Sequence, residues 1–332
     1  MFRPMRLSWI TLSMSALAMG CFAAGTTGLA SSQGGKLTPI KATIIAPGAN
    51  YAQLSIAKQR GLFAKNGLDV EFIVVDTANS GIASAISGAT QFAFTGPNIV
   101  DAVASGIPIV AIYSFDNVSV AQVCALTSIK SVKDLAGKVV GVPNRGSAPD
   151  VTFRIWLESQ GLGESQLTIR NINAGTPAVM AAAAAGQIQA FSLNPPRCYL
   201  NAQAGFHVLA DLGSTGMPYF NAGMAVSRDY LKKNRETVRA FVAALMEAKA
   251  LFKKDRAIAF EAIKDQDKVK DPEVAAQVWE FYKKYWADPP TVSQDAMLQA
   301  IKYSSAEKTR SNGPSIVTQM FDNSVIESIV KK

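Results

Sequence analysis

The residues with the most chemistry to offer lie in short turns that follow apolar, strand-like runs. Asn144-Arg145-Gly146-Ser147 follows the run Lys138 to Val142. A guanidinium placed there can pair with a carboxylate or sulfonate through two parallel hydrogen bonds. Five turns of similar composition accompany it: Asn50-Tyr51, Asn79-Ser80-Gly81, Thr95-Gly96-Pro97-Asn98, Gly175-Thr176-Pro177 and Asn194-Pro195-Pro196. In open α/β sheets such turns sit at the carboxyl ends of strands and lead into helix N-termini, whose free amides favour an anionic group. The expected ligand-binding residues are therefore Asn50, Tyr51, Asn79, Ser80, Gly81, Thr95, Gly96, Asn98, Arg145, Gly146, Ser147, Thr176 and Asn194, with Arg145 first among them. Ser147 equally suits the N-cap of the helix that follows, and Asn79 and Ser80 share that ambiguity. Tyr51, Phe115, Phe191, Tyr219 and Phe220 offer aromatic surface, although core packing is the commoner role for each. Asp76 and Asp116 also lie near strand ends. If either entered the site, it would oppose an anion and favour a cationic or zwitterionic solute.

The inventory also excludes chemistry. His207 is the only histidine, and the three cysteines contain no Cys-x-x-Cys pair, so a zinc site or a histidine-based triad is not expected. No cofactor, metal or catalytic residue is assigned. Free cysteine packs as a small hydrophobe, so Cys124 and Cys198 are expected to be two separate buried thiols, although an oxidising compartment permits a disulfide. The formal charge is +8, but the basic residues, such as Lys232, Lys233, Arg235, Arg239, Lys249, Lys253 and Lys254, are scattered along helices. Nucleic-acid grooves cluster such residues with stacking aromatics, so no nucleic-acid partner is expected.

The elements that must position these turns alternate regularly. Strands are expected at Lys41 to Ala46, Val70 to Val75, Gln91 to Thr95 and Ile107 to Tyr113, with helices at 51–65, Ser80 to Gly88 and Pro97 to Ser105 between them. A second cycle follows. It has extended chain at Val120 to Leu126, a turn capped by Ser131, and strands at Lys138 to Val142, Leu167 to Ile172, Ile188 to Leu193 and Phe206 to Leu212. Its helices are Pro149 to Gln160 and Thr176 to Ala185. After a last strand at Asn221 to Ser227 the chain is helical, and Asn234 is placed to cap a long helix to Lys254. Such alternation argues for parallel sheets covered by helices. With 332 residues the chain is long enough for two domains. It is expected to leave one lobe, build a second and return.

Arg3 and Arg6 precede an apolar stretch from Leu7 to Met19, followed by small residues, which is the layout of a secretory signal peptide. Its removal leaves about +6. Residues 1–30 are expected to be this leader and 31–39 a linker, with export to the periplasm. An alternative is lipidation at Cys21, because Leu17-Ala18-Met19-Gly20-Cys21 resembles a lipoprotein box and a Gly, Ser, Thr and Ala-rich tether follows.

Two longer runs resemble a known family. Gly61-Leu62-Phe63-Ala64-Lys65-Asn66-Gly67-Leu68-Asp69-Val70-Glu71 is similar to the signature opening the nitrate, sulfonate and taurine type of ABC-transporter solute-binding proteins, a broad family that includes thiamine-precursor binders. Ile129-Lys130-Ser131-Val132-Lys133-Asp134-Leu135-Ala136-Gly137-Lys138-Val139-Val140-Gly141-Val142 resembles the segment by which that family enters its second lobe, and Gly106-Ile107-Pro108-Ile109-Val110 resembles the strand before the crossover. The resemblance spans about residues 41–255. It implies a type II periplasmic binding protein fold: two Rossmann-like α/β lobes joined by two crossing strands, with a C-terminal helical segment. Residues 40–119 and 216–332 would form lobe 1 and residues 120–215 lobe 2. The implied role is extracytoplasmic capture of a small solute, anionic and sulfonate- or carboxylate-like, by hinge closure. Its implied partners are the membrane permease and ATPase subunits of an importer, with the receptor itself a monomer. The alternatives are an enzyme of vitamin or cofactor biosynthesis on the same fold and a periplasmic sensory receptor.

Overall fold

The computed structural model describes residues 36–45, 48–172 and 175–331. The expected leader and the Cys21 alternative lie outside the described residues. Among the described residues ten strands follow in order: β1 (Thr38–Ile44), β2 (Leu68–Val74), β3 (Ala93–Thr95), β4 (Ile109–Val118), β5 (Gln122–Leu126), β6 (Val139–Val142), β7 (Thr168–Asn171), β8 (Ala190–Leu193), β9 (Phe206–Asp211) and β10 (Pro218–Ser227). β1 begins three residues before the expected start, because Thr38 and Pro39 pair with Leu68 and Asp69 instead of belonging to a linker.

β1 and β2 pair in parallel throughout. A bridge from Ala42 to Phe92, with the Thr43 amide donating to the Phe92 carbonyl at 2.9 Å, brings β3 alongside β1. β10 then lies between β3 and β4, antiparallel to both. The first set of strands therefore runs β2-β1-β3-β10-β4. The second is a five-stranded sheet in the order β7-β6-β8-β5-β9, with β6 parallel to both neighbours and β5 antiparallel to both of its own.

The chain passes between the two sets twice. The passages lie side by side: the Ser119 amide donates to Met217, the Leu212 amide donates to Ala121 at 3.1 Å, and Val118 pairs with Pro218. Two short passages, residues 119–121 and residues 212–217 with a 3₁₀ turn at Leu212–Thr215, are the only covalent links between the sheets among the described residues.

Local sequence explains much of the rest. The expected helix 51–65 is interrupted. It forms a 3₁₀ turn, Ala49–Tyr51, then Ala52–Gln59 and Leu62–Lys65, and Gly61 between them takes a left-handed φ of 67°. Gly67, at φ 78°, ends the second piece as its position requires. Ser131 and Asp134 form a reciprocal capping box at the turn Val132–Leu135. Asn234 does precede the long helix Arg235–Lys254, but its side chain donates back to the Tyr230 carbonyl instead of capping. That helix buries Val238, Phe241, Val242, Leu245, Ala248 and Phe252 at helical spacing, in one cluster with Leu54, Phe63 and Phe92 of the first sheet's layer. Phe241 stacks on Phe92 at 3.8 Å between centroids. The second sheet has its own clusters, around Phe153 and Leu157 on one face and Phe191 and Phe206 on the other.

Cys124 and Cys198 are not separate thiols. They form a disulfide, with Cα atoms 5.5 Å apart, well inside the span such a bond can bridge. The cause is a short helix the sequence pattern did not announce, Arg197–Leu200, which lays Cys198 beside β5.

Candidate functional site

β1, β2 and β3 run in the same direction, so their carboxyl ends share one edge, and the expected turns gather there. Asn50 is half-buried and its carbonyl accepts from the Trp286 indole at 3.1 Å. Tyr51 is buried, edge-on to Phe94 at 5.0 Å and 6.2 Å from Phe115. Thr95, Gly96, Asn98 and Asn79 form a small network: the Asn98 side-chain Oδ1 accepts from the Gly96 amide at 3.1 Å, and its Nδ2 donates to Asn79 Oδ1 at 2.7 Å. Ser80 does not cap the next helix. Thr77 does, accepting from the Ser80 amide at 3.1 Å. Gly81 and Gly96 are small because neighbours crowd them: a Cβ would meet Thr43 Oγ1 at 2.7 Å and the Asn221 carbonyl at 3.0 Å, respectively. The Gly96 and Ser80 amides, expected to be free for an anion, are thus already taken by the protein's own side chains.

The carboxyl ends of β6, β7 and β8 form the matching edge of the second sheet. Gly146 donates its amide to Asp150 at 2.8 Å, and Ser147 holds the N-cap position with its hydroxyl donating to the Asn144 carbonyl instead of capping. Asp150 is buried at the first turn of helix Ala148–Ser159 and is bound by Arg154 at 2.7 Å. It occupies the amide that a ligand anion was expected to use. Arg145 is exposed and makes no hydrogen bond or ion pair among the described residues. Thr176 is half-buried in the first turn of helix Gly175–Ala184. Asn194 is half-buried, and its side-chain oxygen is buried without a hydrogen-bond partner, as is that of Asn171 at the end of β7.

Where the two sheets join, the structure assembles groups that spacing alone did not single out. Arg197 binds Asp267 at 2.5 Å, linking the second sheet's layer to helix Arg256–Asp267 of the C-terminal segment. Asp267 also accepts from the Ala49 amide at 2.7 Å. Burial holds the Asp267 carboxyl above the ordinary carboxylate range, against the opposing pull of Arg197 and that amide. The Tyr282 hydroxyl donates to the Pro195 carbonyl at 3.0 Å, and Tyr285 donates to Asp211 at 2.7 Å. Gln122, the first residue of β5, donates to the Tyr199 hydroxyl at 2.8 Å. Burial pushes the Tyr282 hydroxyl well up, and the negative charges of Asp267 and Asp116 push it further. Asp116, near the end of β4, is fully buried, and neither of its oxygens has a hydrogen-bond partner among the described residues. Burial raises its pKa well above the usual value. Asn221 is close enough to moderate that rise without reaching hydrogen-bond geometry.

A cavity of about 470 Å³ lies elsewhere, beside helix Ala148–Ser159, and is lined by Val151, Arg154, Glu158, Glu164 and Tyr303 among others. Its arginine is already bound by Asp150 and Glu164. It therefore offers no spare charge to an anion, and it includes none of the expected turns.

Two α/β sheets joined by paired crossings match the periplasmic binding protein fold, and solved structures agree. The alkanesulfonate-binding protein SsuA of Xanthomonas axonopodis pv. citri matches with a TM-score of 0.63 at 18% identity, over 86% of this chain and 93% of that one. The periplasmic nitrate-binding protein NrtA of Synechocystis PCC 6803 matches with a TM-score of 0.69 at 15% identity, over 89% of each chain. Residues 48–255 match the family model described as NMT1/THI5 like, and the chain belongs to that family. A relative from Brucella abortus (strain 2308), named as a binding protein, is 27% identical over 217 residues, which cover 63% of this chain and 66% of its own length, just under two thirds.

Proposed function

We propose that this chain is the exported solute receptor of an ABC importer, which captures a small molecule between two lobes and passes it on chemically unaltered. Residues 40–119 and 216–332 form lobe 1 in this reading, and residues 120–215 form lobe 2. The observation that carries it is the junction. Two adjacent passages can flex together as a hinge, while polar contacts that span the junction, Arg197 to Asp267 and Tyr282 to Pro195, hold the closed form. A solute that contacts both lobes favours that form by whatever it gains over binding to one. The permease and ATPase of the importer are the partners, and the receptor acts as a monomer. The disulfide supports export, since such bonds persist in oxidising compartments.

The charge of the solute is where the expectation and the geometry part. An anionic solute would be gripped by Arg145 from the exposed rim of the site, whereas the buried group at the junction is a carboxyl. A thermal-shift screen of the chain lacking residues 1–30, across sulfonates, nitrate, aromatic acids and nitrogen heterocycles, tests the receptor reading. A solute at about 100 times its Kd adds about 2.7 kcal/mol of stability. One chemical class is expected to raise the melting point and to be recovered unchanged. Recovery of an altered product, or no shift from any class, removes the reading.

A further inference from the structure

We propose that Asp116 is the specificity-determining residue of this solute site, and that the solute presents to it a cationic or N–H-bearing nitrogen on a small planar frame. The inference rests on the receptor reading above and names the ligand chemistry of the same site.

A carboxyl with no exposed surface and no partner for either oxygen is rare, because burying such a group without a hydrogen bond is costly and folds otherwise avoid it. Asp116 lies in the ladder opposite Ala222, two residues before Val118, where the chain crosses to the second sheet. It is thus held at the junction where a captured solute touches both lobes. The neighbouring Asn221 has a buried, unpartnered side-chain oxygen too, as do Gln122 and Asn194 on the second sheet's side. An amide side chain can be turned to offer its nitrogen, so those three residues do not decide the ligand's polarity. Asp116 does once a cation arrives beside it: the incoming positive charge favours the ionised form against the effect of burial, and a carboxylate is an acceptor in every orientation.

Among the described residues no cation pairs with it. Arg197 is committed to Asp267, and the Tyr282 hydroxyl to the Pro195 carbonyl. The buried cation Lys249 is bound to Asp288. A cation arriving with the solute is therefore the missing partner. The planar frame is inferred from the aromatic cluster that its chain neighbour joins. Phe115 precedes Asp116 in the chain, and Tyr51 and Phe94 pack against Phe115 at 6.2 Å each. Rings of this kind attract both flat apolar surface and positive charge.

Titration calorimetry on the chain lacking residues 1–30 tests this with benzamidinium, its anionic isostere benzoate, and methanesulfonate as defined probes. The wild-type protein is expected to bind benzamidinium and to reject benzoate. Asp116→Asn, which keeps the shape and removes the charge, should weaken benzamidinium at least about tenfold and narrow its advantage over benzoate. Arg145→Ala should leave benzamidinium unchanged. Without solute, Asp116→Asn should melt no lower than wild type, because it relieves a bare buried acid. The wild-type comparison of the two isosteres needs no variant and stands even if Asp116→Asn folds poorly. Preferential binding of benzoate or methanesulfonate, abolished by Arg145→Ala, overturns the inference and leaves the receptor reading intact. Benzamidinium binding that is indifferent to Asp116→Asn also overturns it. If no probe binds at millimolar concentration, the inference falls, and if the wider solute screen is equally silent, so does the receptor reading.

Discussion

Removing Arg197 should leave Asp267 as an uncompensated acid in the interior, and the consequence depends on pH in a way that can be worked out. The Asp267 side chain is 1% exposed and that of Arg197 24% exposed, so solvent screens the pair weakly. Breaking a buried pair by deleting one partner typically costs about 3–5 kcal/mol. The partial exposure of Arg197 and the surviving Ala49 amide bond place Arg197→Ala near the lower end, about 3 kcal/mol at neutral pH. Burial already raises the folded-state pKa of Asp267 above 3.8, even with Arg197 present. Without the guanidinium it rises further. The folded variant then binds more protons than the unfolded chain across the window above the ordinary carboxylate value. Its stability deficit should therefore grow as pH rises through that window and vanish as pH falls below 3.8, where the acid becomes neutral in both states. Urea unfolding of wild type, Arg197→Ala, Asp267→Asn and the double variant at acidic and neutral pH reads this directly. The double variant should recover most of the loss, since Asn keeps an acceptor for the Ala49 amide. A deficit below about 1 kcal/mol at neutral pH, or one that grows on acidification, refutes the reasoning.

Further outcomes follow from single contacts. Reducing the Cys124–Cys198 bond, which spans 74 residues of sequence, should cost about 4 kcal/mol, and Ellman's reagent on the unfolded chain lacking residues 1–30 should find no thiol before reduction and two after. Gly223→Ala should destabilise by about 2–3 kcal/mol in a thermal melt, because a Cβ there would lie 2.3 Å from the Tyr113 carbonyl and 2.6 Å from the Phe220 ring. Phe241→Ala should cost about 3–5 kcal/mol by urea unfolding, since it empties the fully buried stack on Phe92. Tyr285→Phe deletes the hydrogen bond to Asp211 beside the second crossing, and should cost about 1 kcal/mol with little change in the unfolding slope.

The fold was legible because its signals are local. Apolar runs alternate with helical spacings, Gly67 and Gly137 stop what precedes them with left-handed backbones, and Ser131 meets Asp134 within four residues. Small errors came from local signals that partners overrode, as when Thr38 and Pro39 joined β1 because β2 was there to receive them. The turns at the strand ends were also legible, but not what they do. The Gly146 amide looked free until Asp150 turned back to it, and nothing at Arg145 distinguishes an exposed guanidinium from a buried one. Cys198 and Arg197 sit on a four-residue helix too short for periodicity to reveal, and their partners lie 74 and 70 residues away. Asp116 read as one of two acids near strand ends. Its ladder partner Ala222 and its neighbour Asn221 both lie on β10, which no window around it contains.

Small-angle scattering of the chain lacking residues 1–30, with and without a solute proven to bind by calorimetry, tests the hinged-receptor account most directly. A larger, broader particle that contracts and sharpens when the solute saturates it is the predicted result. Superimposable curves in the two states, with occupancy confirmed, would contradict capture by closure.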